Sequence, residues 1–379
     1  MHFAGGPRRS RWAAALTVAA TCAAGAACAR APSAPYAHAF SAAERAQTAG
    51  RFAEAAAEFD RAAAGAKTPR DRDHAAYLAA EMLVRAGDVA AGARRLDAIA
   101  RLDPPGEHSA HAAYELAVMR VERDDDWTEI ESMPLRFPES ALSRRALYRA
   151  AAHLDERDGP AAGLAWLERL APRLAGRELE QTTLYEIARH HETLGDVARA
   201  RDEYIAIATR WPYPGGALWD DALFRASEAD ERLGRYDAAI ADLERMLDER
   251  EVSTVMGTYQ RPRYGPALLR IATLYRDRLH DRARARAALH RLYTDFKTSP
   301  SRDDALWMEA ELFIEDGDRP TACARLASLV RDFPDSRYVP CATLRCNDVA
   351  RPAQSAAPKA CRAYIDANAS SAADGTNGK

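Results

Sequence analysis

The sequence predicts an all-α protein of about eight successive helix pairs, and two observations lead to this fold class. Between Ser41 and Pro340 the chain lacks the alternation of apolar and polar residues that is typical of β-strands. Over the same span, short stretches of helix-forming residues alternate with breaks that resemble one another, such as Gly87-Asp88 and Gly317-Asp318. Regular breaks of this kind indicate a repeated helix–turn–helix unit.

Eight breaks recur along the chain, and each is numbered here by its first residue. Three of the eight are degenerate, because they lack the leading glycine. The turn starts are Gly50, Gly87, Asp125, Asp158, Gly195, Gly234, His280 and Gly317, at spacings of 37, 38, 33, 37, 39, 46 and 37 residues. A period in the thirties is typical of stacked helix pairs, which bury their apolar faces only against one another.

Two positions that were not used to set this register support it. The fifth residue after each turn start is small in seven of eight units, and the ninth is large and apolar in seven of eight. The fifth residues are Ala55, Gly92, Ile130, Gly163, Ala200, Ala239, Ala285 and Ala322, and the ninth residues are Phe59, Leu96, Pro134, Leu167, Tyr204, Leu243, Leu289 and Leu326. In three units a proline stands 17 residues after the turn start, where it is expected to end the second helix. These prolines are Pro104, Pro212 and Pro334.

These positions are the ones that define the tetratricopeptide repeat, and the chain from about Tyr36 to Pro340 resembles that family. The resemblance implies a right-handed superhelical solenoid. Some units end with a motif such as Phe137-Pro138-Glu139-Ser140, and in this respect the repeats are similar in style to those of two groups of bacterial envelope proteins. These are the assembly lipoprotein of the outer-membrane β-barrel machinery and the coordinator of the Tol-Pal system.

Departures from the repeat give further expectations. Pro134 stands where a core side chain belongs, so the second helix of the third unit should be shortened or kinked. The longest spacing, 46 residues, includes a segment from Val252 to Pro266 that is rich in Gly, Pro and Tyr and is predicted to be a loop. We expect four segments: a signal peptide over 1–28, the solenoid over 29–340, a cysteine-bearing cap over 341–365, and a disordered tail over 366–379.

The N-terminal residues predict export. Arg8, Arg9 and Arg11 precede an uncharged stretch from Trp12 to Ala27, which is typical of a secretory signal and short for a membrane span. Gly25-Ala26-Ala27-Cys28 resembles the lipobox of bacterial lipoproteins and predicts acylation of Cys28, with Cys22 as a second candidate. The expected location is the outer membrane, facing the periplasm, or alternatively the periplasm as a soluble protein.

The other cysteines, Cys323, Cys341, Cys346 and Cys361, gather near one end. An even number in an exported protein predicts two disulfides, and three connectivities are possible. Their spacing does not resemble that of a zinc site.

Composition and motifs argue against several functions. The net charge is -3 with both signs interspersed, so no nucleic-acid partner is expected. No nucleophile elbow, phosphate loop, dinucleotide motif or His-Glu-x-x-His is present, and neither His190-His191-Glu192 nor the pair His108 and His111 completes a metal site. The aspartates at 124–126 are expected to form a solvated turn. We therefore expect no enzyme activity, cofactor or metal.

The expected function is a protein–protein scaffold in the cell envelope, and the alternative is the helical, non-catalytic arm of a cell-wall enzyme such as a lytic transglycosylase. The resemblance implies that the first helices line the concave, partner-binding face. In six of the eight units, the residue that stands ten positions before the turn start is aromatic. These residues are Phe40, Tyr77, Tyr148, Tyr185, Phe224 and Trp307. These six residues, called the aromatic row below, are the predicted partner-binding residues, although tyrosine at this position also packs between repeats. Four residues further on, a row of mixed charge that includes Arg189 and Glu228 could select partners.

Overall fold

Seventeen α-helices and one short 3-10 helix (residues 171–174) occupy the residues that the computed structural model describes, 32–249 and 263–349. Sixteen of the helices form eight successive pairs. The first helices are α1 (Ala34–Thr48), α3 (Pro69–Arg85), α5 (Ser109–Asp124), α7 (Ala141–Asp158), α9 (Glu180–Thr193), α11 (Trp219–Arg232), α13 (Tyr264–Asp277) and α15 (Arg302–Glu315). The second helices are α2 (Phe52–Gly65), α4 (Val89–Ala100), α6 (Thr128–Arg136), α8 (Pro160–Leu170), α10 (Val197–Arg210), α12 (Tyr236–Asp248), α14 (Arg282–Asp295) and α16 (Arg319–Asp332), and α17 (Val339–Arg345) follows the last pair.

The predicted all-α fold of eight helix pairs is confirmed. The chain divides into two compact units, Met1–Ala150 and Ala151–Lys379, and the division falls within α7. The two units are called the N-terminal unit and the C-terminal unit. None of the described helices combines the length and the apolar character needed to cross a bilayer.

The turn inside each pair owes its shape to one residue in the left-handed region. At seven of the eight predicted turn starts this residue has a positive φ, for example 92° at Gly87 and 90° at Gly195. Glycine adopts this conformation without a steric penalty, which explains its recurrence. At the fourth turn the prediction was wrong by one residue, because Asp158 ends α7 and the left-handed residue is Gly159, with φ of 89°.

The aspartate of the Gly-Asp breaks caps the second helix. The Asp88 side chain accepts a hydrogen bond from the Ala91 amide at 3.0 Å, and Asp318 accepts one from the Thr321 amide at 3.2 Å. Such a bond satisfies one of the amides that have no partner within the helix. The two-residue break thus reverses the chain and starts the next helix.

The fifth and ninth positions lie where the two helices of a pair meet. All sixteen of these residues are buried, including Pro134 in the third unit. A Cβ atom placed on Gly92 would lie 2.5 Å from the Val84 side chain and 2.9 Å from the carbonyl oxygen of Ala80, so the helices approach too closely there for a larger residue. The small residue permits the close approach and the large residue fills the remaining space.

The departures from the repeat are visible in the helices. The second helix α6 has 9 residues, whereas α10 and α16 each have 14, so the shortened helix predicted from Pro134 is confirmed. The loop predicted over Val252–Pro266 is too long by three residues at its end, because α13 begins at Tyr264. Residues 252–262 of that loop lie outside the described residues.

We expect Gly92→Val to destabilise the N-terminal unit by about 1–3 kcal/mol, because the added methyl groups overlap α3. Ala90→Val is the matched control: it places the same side chain at an exposed site on α4 and should cost no more than about 0.7 kcal/mol. Urea unfolding followed by circular dichroism measures both. Equal midpoints for the two variants would show that the packing at Gly92 is not tight.

Candidate partner-binding surface

The aromatic row lies on the first helices, but most of it is inside the protein. Tyr148 is 39% exposed and Phe40 is half-buried. The four buried members, each less than a tenth exposed, are Tyr77, Tyr185, Phe224 and Trp307. The row therefore has only one member that a partner could reach over much of its ring.

In the N-terminal unit the row is part of a column of stacked rings. Phe40 stacks on His74 with 5.6 Å between ring centroids, and Tyr77 stacks on His108 at 4.7 Å. Each of these aromatic residues thus contacts the first helix of the next pair or the residue that precedes it. The imidazoles of His74 and His108 are also joined by a hydrogen bond of 2.9 Å between Nδ1 and Nε2.

The column carries perturbed acid–base groups. Tyr77 donates a hydrogen bond to Glu115, and burial raises the pKa of both groups. Burial, together with the neighbouring His74 imidazole, lowers the pKa of His108 below its usual range. The hydrogen bond between the two imidazoles requires one of them to accept, so at least one must be uncharged.

In the C-terminal unit the row also packs between successive pairs. Phe224 lies beneath two guanidinium groups, those of Arg263 at 4.8 Å and Arg270 at 5.6 Å from the ring centroid. Trp307 stacks on Tyr338, with centroids 5.0 Å apart and ring planes within 9°. The contacts of the row therefore match the alternative interpretation of such a tyrosine, namely packing between repeats.

An open groove lies beside the row in the C-terminal unit. It has a volume of about 390 Å³ and is called the charged groove here. Side chains of α9, α11 and α13, together with the residue that directly follows α13, line it: Glu192, Arg225, Glu228, Glu231, Arg232, Arg270 and Arg278. Every lining residue is charged, with four arginines and three glutamates.

Ion pairs hold the charged groove in shape. The Glu228 carboxylate accepts from Arg270 at 2.9 Å and from Arg225 at 3.2 Å, and Glu192 accepts from Arg232 at 3.1 Å. Arg225 also forms a hydrogen bond with the side chain of Tyr185, so the charged groove is in direct contact with the aromatic row. The sequence identified Glu228 as a flanking charge, and Arg270 stands in the register of the aromatic row, ten residues before the turn start at His280. The other three arginines were missed because they fall outside the two helical positions that were compared.

The histidines considered from the sequence have structural partners. His190 contacts Asp155 through Nε2 at 3.0 Å, and His191 contacts Glu203 through Nδ1 at 2.7 Å. The rings of His108 and His111 are 6.0 Å apart. Within residues 32–249 and 263–349 no group of three or more His, Cys, Asp or Glu side chains is arranged to hold a metal ion. The aspartates at 124–126 lie at a helix-pair turn, where Asp126 accepts from the Thr128 amide at 3.1 Å.

The cysteines link the last helices. Cys323 in α16 is bonded to Cys346, with the two Cα atoms 5.5 Å apart, and Cys341 is also disulfide-bonded. Cys361, Cys28 and Cys22 lie outside the described residues. The helix α17 begins at Val339, so the boundary predicted at residue 340 falls inside it. Val339 and Cys341 join Leu306 and Trp307 in one apolar cluster, which continues the packing of the last pair.

We expect acidification below pH 6.5 to weaken the N-terminal unit through His108. Because its pKa is lower in the folded chain, the unfolded chain takes up the proton at a higher pH, and the free energy of unfolding falls as the pH drops. His108→Phe keeps a ring against Tyr77 and should reduce the loss of melting temperature between pH 7.5 and 5.5 by a few degrees. The exposed His38→Gln is the control, and an identical pH dependence in all three proteins would contradict this role.

Comparisons with known proteins give the following. A search of curated protein sequences finds no significant match. Among solved structures, kinesin light chain TPR-like repeats from Podosopora anserina are 17% identical, with a TM-score of 0.37, over 50% of this chain and 93% of theirs. A tetratricopeptide repeat protein from Parabacteroides merdae is 14% identical, with a TM-score of 0.35, over 73% of this chain and 97% of its own. With identity and TM-scores this low, neither structure carries an argument about function.

A family model gives a direct assignment for part of the chain. Residues 221–250, 266–299 and 304–336 match the model described as tetratricopeptide repeat. The three segments coincide with the pairs α11–α12, α13–α14 and α15–α16. The chain therefore contains tetratricopeptide repeats.

Proposed function

We propose that this protein is a scaffold of the bacterial cell envelope that binds a protein or peptide partner along the first helices of its C-terminal unit. The observation that carries this proposal is the charged groove, because it is an open surface that lies next to the aromatic row. The first helices α9, α11 and α13 supply every lining residue except Arg278, which follows α13 directly. Two of the three tetratricopeptide matches contribute residues to it, and this repeat is generally a binding module and not a catalytic one.

The chemistry of the charged groove favours selection by charge. Four arginines and three glutamates present both signs within about 390 Å³, so a partner needs charges in a matching order. Charge complementarity of this kind contributes to specificity and to the rate of association. The Tyr185 side chain is hydrogen-bonded to Arg225, and the Phe224 ring lies beneath Arg270, so both contacts limit the conformations of these two arginines. A groove with fixed side chains loses less conformational entropy when a partner binds.

The proposed location rests on the N-terminal sequence. We infer from the lipobox-like sequence that Cys28 is acylated, and from Ala29 after it that the mature protein is sorted to the outer membrane, with the solenoid facing the periplasm. The disulfide between Cys323 and Cys346 is consistent with an oxidising compartment.

We expect the double variant Arg232→Glu, Arg278→Glu to reduce partner recovery at least roughly tenfold, since it reverses two charges in the groove. The experiment is chemical crosslinking in the native envelope followed by affinity purification of the tagged protein. Arg245→Glu is the matched control, because Arg245 is exposed on the second helix α12 and does not line the groove.

Circular dichroism and melting temperature should be unchanged in both proteins, since an exposed ion pair contributes about 0–1 kcal/mol. Undiminished recovery with the folded double variant would place the partner on another surface. Equal losses in the double variant and the control would show a general effect of charge and contradict the proposal.

We expect mass spectrometry of the mature protein to find Cys28 as an acylated N-terminal residue. Several acyl chains at about 0.8 kcal/mol per buried methylene give a stable anchor. Cys28→Ser should move the protein from the membrane fraction to the soluble fraction. A mature chain that starts after Cys28 and carries no lipid would contradict the anchor and leave the charged groove unaffected.

A further inference from the structure

Two carboxylates are buried inside the C-terminal unit, where α10, α11 and α12 meet. The side chain of Asp230 in α11 is fully buried, and the side chain of Asp242 in α12 is 13% exposed. Neither residue lines the charged groove. A buried carboxylate stays ionised only where hydrogen bonds and positive charges compensate for the water that it loses. The groups around the two side chains therefore determine whether both can carry a charge.

One guanidinium group is shared by both carboxylates. The Nε atom of Arg201 in α10 donates a hydrogen bond of 3.0 Å to Oδ2 of Asp230. Another nitrogen of Arg201 lies 3.6 Å from Oδ2 of Asp242, an atom with no hydrogen-bond partner among the described residues. The second oxygen of Asp230 also lacks a hydrogen bond, but it lies 3.7 Å from Arg235. Asp242 is therefore the less well compensated of the two carboxylates.

The other helices around Asp242 supply little further positive charge. On its own helix, Arg245 lies one turn further along and is exposed. Helix α13 also packs on α12, but its Arg270 is paired with Glu228 and Glu231 at the charged groove. The compensation of Asp242 therefore depends mainly on its long contact with the shared guanidinium.

The chemistry of this arrangement favours a protonated Asp242. Burial raises the pKa of Asp242 from an ordinary value of 3.8 to about 6, and the Asp230 carboxylate acts in the same direction. Arg201 and Arg245 oppose the rise without cancelling it. Between these two pH values the folded chain holds a proton that the unfolded chain lacks. The free energy of unfolding therefore increases as the pH falls through this range.

We propose that Arg201, Asp230 and Asp242 form a proton-binding cluster that stabilises the packing of α10, α11 and α12 at mildly acidic pH. At neutral pH the guanidinium is shared by two carboxylates. When Asp242 takes up a proton, Arg201 faces the charge of Asp230 alone. The effect is opposite in sign to that of His108, so acid stabilises the C-terminal unit and weakens the N-terminal unit. This inference does not depend on the function proposed above.

Side-chain NMR of the full mature chain tests the proposal. The aspartates carry a ¹³C label at Cγ, and Asp242→Asn identifies the resonance of Asp242 by its loss. We expect this resonance to titrate with a midpoint near pH 6. Asp230→Asn removes the neighbouring negative charge and should lower the midpoint by roughly half a pH unit or more.

Melting temperatures give a second measurement. Asp242→Asn removes the charge but keeps the shape of the side chain, so it should raise the melting temperature at pH 7.5 by a few degrees. The difference from the unchanged chain should shrink at pH 5.0, where Asp242 is itself protonated. The effect of His108 is common to both proteins and cancels. Asp237→Asn is the matched control, because Asp237 is exposed on the same helix, and it should give no such gain.

Three outcomes would overturn the proposal. The first is a midpoint for Asp242 near 3.8, which would show that Arg201 compensates both carboxylates. The second is a folded Asp230→Asn variant with an unchanged midpoint, which would show that the two carboxylates do not interact. The third is a gain from Asp242→Asn that is the same at both pH values. The first and third outcomes decide the question even where Asp230→Asn does not fold.

Discussion

The close approach of the two helices in each pair is the constraint on which the rest of this structure depends. A small residue five positions after the turn start lets the second helix lie on the first, as Gly92 illustrates, where an added Cβ atom would lie 2.5 Å from the Val84 side chain. Because one pair cannot bury both of its apolar faces, the next pair must pack on it. The spacing of the turns then determines which side chains are in contact between successive pairs. It therefore also determines which side chains of the first helices remain exposed to a partner.

The aromatic row follows from this constraint. A ring ten residues before the turn contacts the element that follows its own pair, as Phe224 does with Arg270 of α13 and Trp307 does with Tyr338 at the start of α17. Stacking of this kind stabilises the array, and it also removes the rings from the surface. The half-buried Arg225, one position from Phe224, lies above the buried rings and lines the charged groove. In the C-terminal unit the row thus supports the candidate binding surface from beneath.

Most of the fold could be predicted from the sequence, because the features that determine it are local and periodic. Glycine at the turn and Pro134 in α6 act through their own backbone, and their effects were located to within a residue or two. The candidate surfaces could not be found in this way. Whether Tyr77 is buried depends on His108, which is 31 residues further along the chain and approaches it only through packing. Such contacts between distant residues determine which side chains are buried and what shape a groove has. The position of a residue along its own helix does not predict these contacts.

The third unit shows how an irregular repeat changes the surface. Asp125 takes the left-handed turn that glycine takes in most units, with φ of 53°, and α6 begins one residue later than its counterparts do relative to the turn. Non-glycine residues adopt this conformation at a small cost, and aspartate is among those that tolerate it best. The late start and Pro134 together leave a nine-residue helix. A regular array would repeat the same surface at each unit, so a second helix of nine residues gives the third unit a surface that differs from that of its neighbours.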